Sequence, residues 1–185
     1  MVKKRACVFI SGAGTNLREI IRNSRDYSFP VNVCLVISSN KKAKGIIFAK
    51  KFSIPFICIN TSKYKFETTI LKKLFEYKID IICLAGFMKI LSSHFINKIK
   101  TPILNIHPSL LPKYKGLNTH FRAIKNKDKF SGSTVHVVNS KLDSGKIILQ
   151  KKIKINKNDN AKTLEKKILK IEYKLYPRAI KKFFI

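Results

Sequence analysis

Acidic residues are scarce: the 185-residue chain carries 10 Asp plus Glu against 39 Lys plus Arg, a formal net charge of +29. An imbalance of that size first raises a basic nucleic-acid-binding module. The distribution argues against it. The cations are mostly Lys and are scattered from Lys3 to Lys182, with no basic tail, whereas bidentate phosphate and base recognition favours Arg. Long apolar runs are also missing, since the longest uncharged stretch, 27–40, is short of the ~20 residues a membrane-spanning helix needs. The basic opening followed by an apolar patch imitates a leader peptide. The patch is brief, however, and Arg18 and Glu19 follow soon after, so a first β-strand fits better. Cysteine is sparse as well. Cys7, Cys34, Cys58 and Cys83 have no CxxC spacing and no neighbouring His, which reads as buried reduced thiols in a reducing compartment, with no metal site.

Hydrophobic residues still make up 45% of the chain, enough for a full core in one domain. The four cysteines sit in short branched runs (ACVFI, VCLVI, FICI, IICLA) separated by helix-length stretches at 15–26, 41–52 and 63–78. That alternation predicts βαβ units and a parallel sheet. A fifth strand is expected at 103–107. After Pro112 the pattern changes to clearer alternation at 134–138 and 146–155, read as an antiparallel addition at the sheet edge. A last helix is expected over 160–182, broken near Pro177.

Four places can carry chemistry. Ser11-Gly12-Ala13-Gly14-Thr15-Asn16 links strand one to helix one. Such a turn presents backbone N–H groups to an anion, or simply caps the helix with Thr15 or Asn16. Leu17 replaces the third glycine of a dinucleotide fingerprint, so a terminal phosphate is the more natural guest. Asn105 and His107 are two apart in a strand that Pro108 ends, so they share a face at a carboxyl end, where open α/β sheets bind ligands. Asp143 in Leu142-Asp143-Ser144-Gly145 reads by itself as a turn-former. Glu172 is flanked at helical spacing by Ile168, Leu169, Leu175 and Tyr176. A carboxylate on that face is either buried with a partner or faces a ligand, and the ligand is preferred. Among the other histidines, His136 alternates within a strand as a wall or core residue, and His120 follows a glycine-containing loop and is placed to line a site.

Read together, GAGTN at 12–16, LAGFMKIL at 84–91, ILNIHPSLLPKYKG at 103–116 and LDSG at 142–145 resemble the folate-dependent formyltransferases. GAGTN together with Glu172 resembles the glycinamide ribonucleotide formyltransferase family within them. The resemblance runs in order from Val8 to about Tyr176. It implies an α/β, single-domain Rossmann-like fold: a mostly parallel twisted sheet flanked by helices, with an antiparallel carboxyl-terminal edge. Residues 1–108 would be a nucleotide-binding-like half. Residues 109–185 would complete a cleft for two ligands with a hairpin and a terminal helix. By resemblance, Asn105, His107 and Asp143 are the catalytic trio. Gly14, Thr15 and Asn16 hold the ribonucleotide phosphate, and Leu169, Lys170, Ile171 and Glu172 approach the rest of that substrate. Lys63, Met88, Lys89, Ile90 and Leu91, with Asn105 and with Asn139, Ser140, Lys141, Leu142 and Asp143, bind the formyl donor 10-formyltetrahydrofolate.

The chemistry expected is amine attack on a formyl carbon. Asn105 donates to the developing oxyanion, and His107 is held as imidazolium by Asp143, which raises its pKa. The resemblance also implies small-molecule substrates, no metal, no specific nucleic acid, no membrane, a cytoplasmic location and a monomer or weak homodimer. Three positions depart from the family pattern. Lys115 stands where Pro is usual, Asn118 where His is common, and Ser144 where LDGG has Gly. The chain ends at Ile185, short of the usual carboxyl-terminal extension, with Glu172 retained. Methionyl-tRNA formyltransferase and formyltetrahydrofolate hydrolase share the NIHPSLLP-like block or the trio, but each carries a further domain for which 185 residues leave no room. The positive charge is then expected to draw anionic substrates, with nonspecific RNA binding as a side effect.

Overall fold

In the computed structural model, which describes residues 2–59 and 63–184, seven strands form one sheet in the order β3-β2-β1-β4-β5-β6-β7. The elements run β1 (Lys4–Ile10), α1 (Thr15–Ser24), β2 (Val31–Ser38), α2 (Ile46–Lys51), β3 (Phe56–Cys58), α3 (Lys63–Glu76), β4 (Ile81–Leu84), α4 (Ser93–Lys98), β5 (Ile103–His107), α5 (Thr119–Lys125), β6 (Phe130–Val137), β7 (Ile147–Lys154) and α6 (Ala161–Phe183). The chain condenses into two compact units, Met1–Leu104 and Asn105–Phe183.

In the first unit β1 pairs in parallel with β2 and β4, and β2 in parallel with β3. Ala6 to Ile10 and all of β4 are buried, as expected of parallel strands covered on both faces. Helix α1 buries Leu17, Ile20, Ile21 and Ser24, a stripe at helical spacing. Only Cys7 and Cys83 are buried, while Cys34 and Cys58 are half-exposed, which corrects the expectation of four buried thiols. Helix α2 is also shorter than the expected 41–52. Residues 40–45 instead form turns in which Ala43 N–H donates to the Asn40 carbonyl and Gly45 N–H to the Gly12 carbonyl.

In the second unit β6 and β7 are antiparallel from Phe130↔Lys154 to His136↔Ile147, with an irregularity between Val135 and His136. Helix α6 packs on this hairpin and on α5. Ala123, Leu164 and Ile168 form its core, with Tyr114, Ile153 and Ile171 against it. Contrary to expectation, α6 passes through Pro177 unbroken. Proline inside a helix costs about 3 kcal/mol or more, but the flanking Leu175, Tyr176, Ala179 and Ile180 are all buried. Their burial holds the helical path. Among the described residues, no helix is long and apolar enough to cross a membrane.

Candidate active site

Strand β5 buries Leu104 and Ile106 and presents Asn105 and His107 on one face. Both meet Asp143, which lies in the β6–β7 connection. Asp143 Oδ2 is 3.4 Å from His107 Nδ1, and Oδ1 is 3.5 Å from Asn105 Nδ2. The trio expected by resemblance is thus brought together, with the His107 and Asp143 side chains 7% and 8% exposed. Asp143 adopts a left-handed backbone (φ 44°) and accepts a 2.8 Å hydrogen bond from Gly116 N–H at Oδ2.

His136, read from the sequence as a wall residue, belongs to the same cluster. Its Nε2 is 3.3 Å from Asn105 Nδ2 and 3.6 Å from Asp143 Oδ1, while its Nδ1 is 3.0 Å from the Val137 carbonyl. A carbonyl only accepts, so Nδ1 donates there, and Nε2 is the ring nitrogen that faces both the Asn105 amide and the Asp143 carboxylate. The irregular register at Val135/His136 is the backbone feature beside this contact, and such bulges re-aim side chains next to sites.

The electrostatics differ from expectation at His107. Burial pushes its pKa below the ordinary 6.5, and the opposing pull of the Tyr114 carbonyl and the Asp143 carboxylate does not offset it. His107 Nε2 is 2.8 Å from the Tyr114 carbonyl, so that nitrogen carries the proton of the neutral ring. Nδ1 then carries the lone pair and faces Asp143. Burial alone would raise the Asp143 pKa, but the His136 hydrogen bond, the Gly116 N–H and the two nearby histidines outweigh it, and it lies below the ordinary 3.8. The resting pair is a carboxylate beside a neutral imidazole ready to take a proton.

Glu172 in α6 is 6% exposed and is held by Ser133, whose hydroxyl reaches Glu172 Oε1 at 3.1 Å and the His107 carbonyl at 3.0 Å. Of the two readings left open, the buried partner is therefore present. Leu169 and Ile171 are half-buried and Lys170 is exposed. His120 is half-buried, and its Nδ1 has no hydrogen-bond partner among the described residues. In the 139–143 segment, Asn139, Ser140, Lys141 and Leu142 are exposed, and Asn139 Oδ1 accepts from Lys141 N–H at 3.0 Å.

In the first unit, Gly14 is the N-cap of α1 with φ 68°, no side chain caps the helix, and its first turn holds no acid. Neither Thr15 nor Asn16 takes the capping position. The positive end of a helix dipole suits an anion. A Cβ on Gly14 would lie 2.5 Å from Gly45 Cα, so the turn closes only with glycine there. Ser11 Oγ, 2.7 Å from Ser39 Oγ, also accepts from Met88 N–H at 2.8 Å. Met88 and Ile90 are 71% and 68% exposed. The Lys89 ammonium lies 4.7 Å over the Phe66 ring, and Leu91 is buried in the core. Lys63 opens α3, and its side chain lies outside the described residues. Among the described residues, no three His, Cys, Asp or Glu side chains gather as a metal site.

Comparison with known proteins gives this geometry a context. A phosphoribosylglycinamide formyltransferase of Haemophilus influenzae is 42% identical, over 97% of this chain and 87% of its own length. The trifunctional purine biosynthetic protein adenosine-3 of Bos taurus is 40% identical over 96% of this chain, which spans only 18% of that larger protein. The crystal structure of phosphoribosylglycinamide formyltransferase from Brucella melitensis superposes with a TM-score of 0.93 at 40% identity, covering 98% of this chain and 96% of that one. Residues 4–180 match the formyl transferase family, and the chain, with its Asn105, His107 and Asp143 assembled, belongs to that family.

Proposed function

We propose that this chain transfers the formyl group of 10-formyltetrahydrofolate to the amine of glycinamide ribonucleotide, giving formylglycinamide ribonucleotide and tetrahydrofolate in purine biosynthesis. The observation that carries this reading is the meeting of Asn105, His107 and His136 around one buried carboxylate, Asp143. The amine nitrogen attacks the formyl carbon, forming a C–N bond and placing negative charge on the formyl oxygen. Asn105 donates to that oxygen. Its present contacts, at 3.3 and 3.5 Å, are long, so a developing oxyanion competes well for an amide hydrogen. Comparable donors contribute about 2.7–4 kcal/mol to transition-state stabilisation.

The attacking amine must lose a proton, and the leaving folate nitrogen must gain one as its bond to the formyl carbon breaks. His107 mediates. Neutral at rest because of burial, it accepts the proton at Nδ1, where Asp143 stabilises the imidazolium, and returns it to the leaving nitrogen. Positioned acid–base groups contribute ~10²–10⁴-fold. The start of α1 at Gly14, Thr15 and Asn16, at the positive end of the helix dipole, receives the substrate phosphate. Leu169, Lys170, Ile171 and Glu172 approach the remainder of that substrate. Lys63, Met88, Lys89, Ile90 and Leu91, together with Asn139 to Asp143, take the folate. The +29 charge draws both anionic substrates towards the protein. As one formyltransferase domain it works in the cytoplasm, as a monomer or weak homodimer without metal, membrane or specific nucleic-acid partner.

The deciding experiment incubates purified protein with both substrates and follows tetrahydrofolate, formate and formylated amine. Amine-dependent tetrahydrofolate release with formylated product supports the reading. Formate release without amine makes the protein a hydrolase, and no turnover of the donor removes the formyl-transfer reading.

A further inference from the structure

Residues 114–116 touch both ends of the His107–Asp143 pair. The Tyr114 carbonyl accepts from His107 Nε2–H at 2.8 Å, and the Gly116 N–H donates to Asp143 Oδ2 at 2.8 Å. Between them, the Lys115 ammonium donates to Ser144 Oγ at 2.6 Å, and Ser144 Oγ donates to the Leu142 carbonyl at 2.8 Å. The tripeptide is fixed from behind by Arg122 Nη1, which donates to the Lys115 carbonyl at 2.7 Å. Both loops need holding, because Tyr114 and Asp143 have left-handed backbones at φ 58° and 44°. Non-glycine residues keep that conformation only when their surroundings impose it. Lys115 and Ser144, one in each of the two loops, are bonded to each other.

We propose that Lys115 and Ser144 form a clasp that positions the Asp143 carboxylate against His107, making both of them positioning residues for formyl transfer. The Gly116–Asp143 bond, like the longer contacts with Asn105 and His136, holds the loop through the Asp143 side chain. The Lys115–Ser144 bond adds a second point one residue away and stops the loop from pivoting. Lys115 therefore acts through Ser144 and the loop, without touching substrate. This rests on the formyl-transfer reading, but the clasp itself can be measured without turnover.

The test uses the full chain with Ser144→Ala, Lys115→Met, both together, and Ser144→Thr. The first readout is the His107 ring titration followed by NMR. The charged groups acting on His107 are Asp143, His136 and Arg122. Loosening Asp143 lowers the titration midpoint, whereas simple loss of the Lys115 charge would raise it, so the sign separates the two effects. Ser144→Ala changes no charge. It is expected to lower the midpoint by roughly a few tenths of a pH unit and kcat by about two- to fivefold, the scale of an exposed charged contact. The KM for glycinamide ribonucleotide should hold. In the Lys115→Met background Ser144→Ala should add nothing, and Ser144→Thr, which keeps the hydroxyl, should restore the wild-type midpoint.

An unmoved midpoint in Ser144→Ala overturns the clasp. So does an effect of equal size in the Lys115→Met background. A raised KM in Lys115→Met with Ser144→Ala silent also overturns it, and makes Lys115 a charge acting on anionic substrate. If the wild-type protein transfers no formyl group, the functional reading fails while the midpoints still decide the clasp.

Discussion

Asp143 Oδ2 lies 3.4 Å from His107 Nδ1, across the ring from the Nε2–H that donates to the Tyr114 carbonyl. Both ring nitrogens therefore face oxygen, and a protonated ring would have a partner on each side. Burial nevertheless keeps the resting ring neutral near pH 7 by holding its pKa below 6.5. In the proposed transfer the pair stabilises a charge that exists only during turnover, the condition for lowering a barrier without deepening the ground state. Asp143→Asn keeps an oxygen for the Gly116 N–H but cannot stabilise the imidazolium. Its kcat is expected to fall by about 10²–10⁴-fold, with a small change in Tm. Steady-state formyl-transfer rates check this, and unchanged turnover removes Asp143 from the proton path.

His136 is 2% exposed and touches both Asn105 and Asp143. His136→Phe keeps the ring volume and removes both nitrogens, leaving the Asn105 amide and one carboxylate oxygen short of a partner. Each buried polar group so stranded costs about 1–3 kcal/mol, so stability in urea should drop by that order. Turnover should fall alongside, because Asn105 loses the neighbour that sets its amide orientation. A variant with full kcat and full stability would restore the bland reading of His136 as wall.

Burial depresses His107 and His120 below the ordinary 6.5. The unfolded chain therefore binds more protons than the folded one as pH drops through that region. Their contribution to stability is complete above about pH 6.5 and is lost as pH falls towards their folded values. Asp143, held below 3.8, keeps its own contribution throughout that window and loses it only in stronger acid. Urea unfolding from pH 8 to pH 5 should show a falling free energy, and His107→Asn should flatten the slope. A stability that is flat or rising on acidification would contradict the burial argument. The kcat profile should lose its low-pH limb in step, because a ring already protonated cannot accept the amine proton.

The legible parts of the sequence were those where local pattern and tertiary role coincide. Strand β5 fell at 103–107 because its alternation and the terminating Pro108 carry the same message. The cysteine-bearing runs became parallel strands because continuous branched residues are what a sheet covered on both faces requires. Short α4 and α5, of six and seven residues, left too few turns to show a period. Helix α2 lost its first residues to turns that place Gly45 against Gly14, a demand arising from another part of the chain. His136 was hidden for a similar reason, and Asp143 was visible only through the family resemblance. Asp143 looks by itself like a turn residue and His136 like an alternating strand residue, and only the folded chain brings His136 of β6 and Asp143 of the β6–β7 connection to Asn105.

Gly14 offers a direct test of the α1 turn. Its φ of 68° is left-handed, and a Cβ there would stand 2.5 Å from Gly45 Cα. Gly14→Ala faces about 1–2 kcal/mol from the backbone alone, and the contact forces Gly45 away as well. Gly45 N–H, bonded to the Gly12 carbonyl at 2.9 Å, must shift with it. The turn that leads into the first turn of α1 is then distorted. The expected result is a lower Tm together with a raised KM for glycinamide ribonucleotide, while kcat at saturation changes little because the trio lies elsewhere in the chain. The paired control is Gly12→Ala, where an added Cβ meets nothing within 4 Å. Its Tm should match the wild type, and equal loss in both variants would show that the close approach to Gly45 is not what holds the turn.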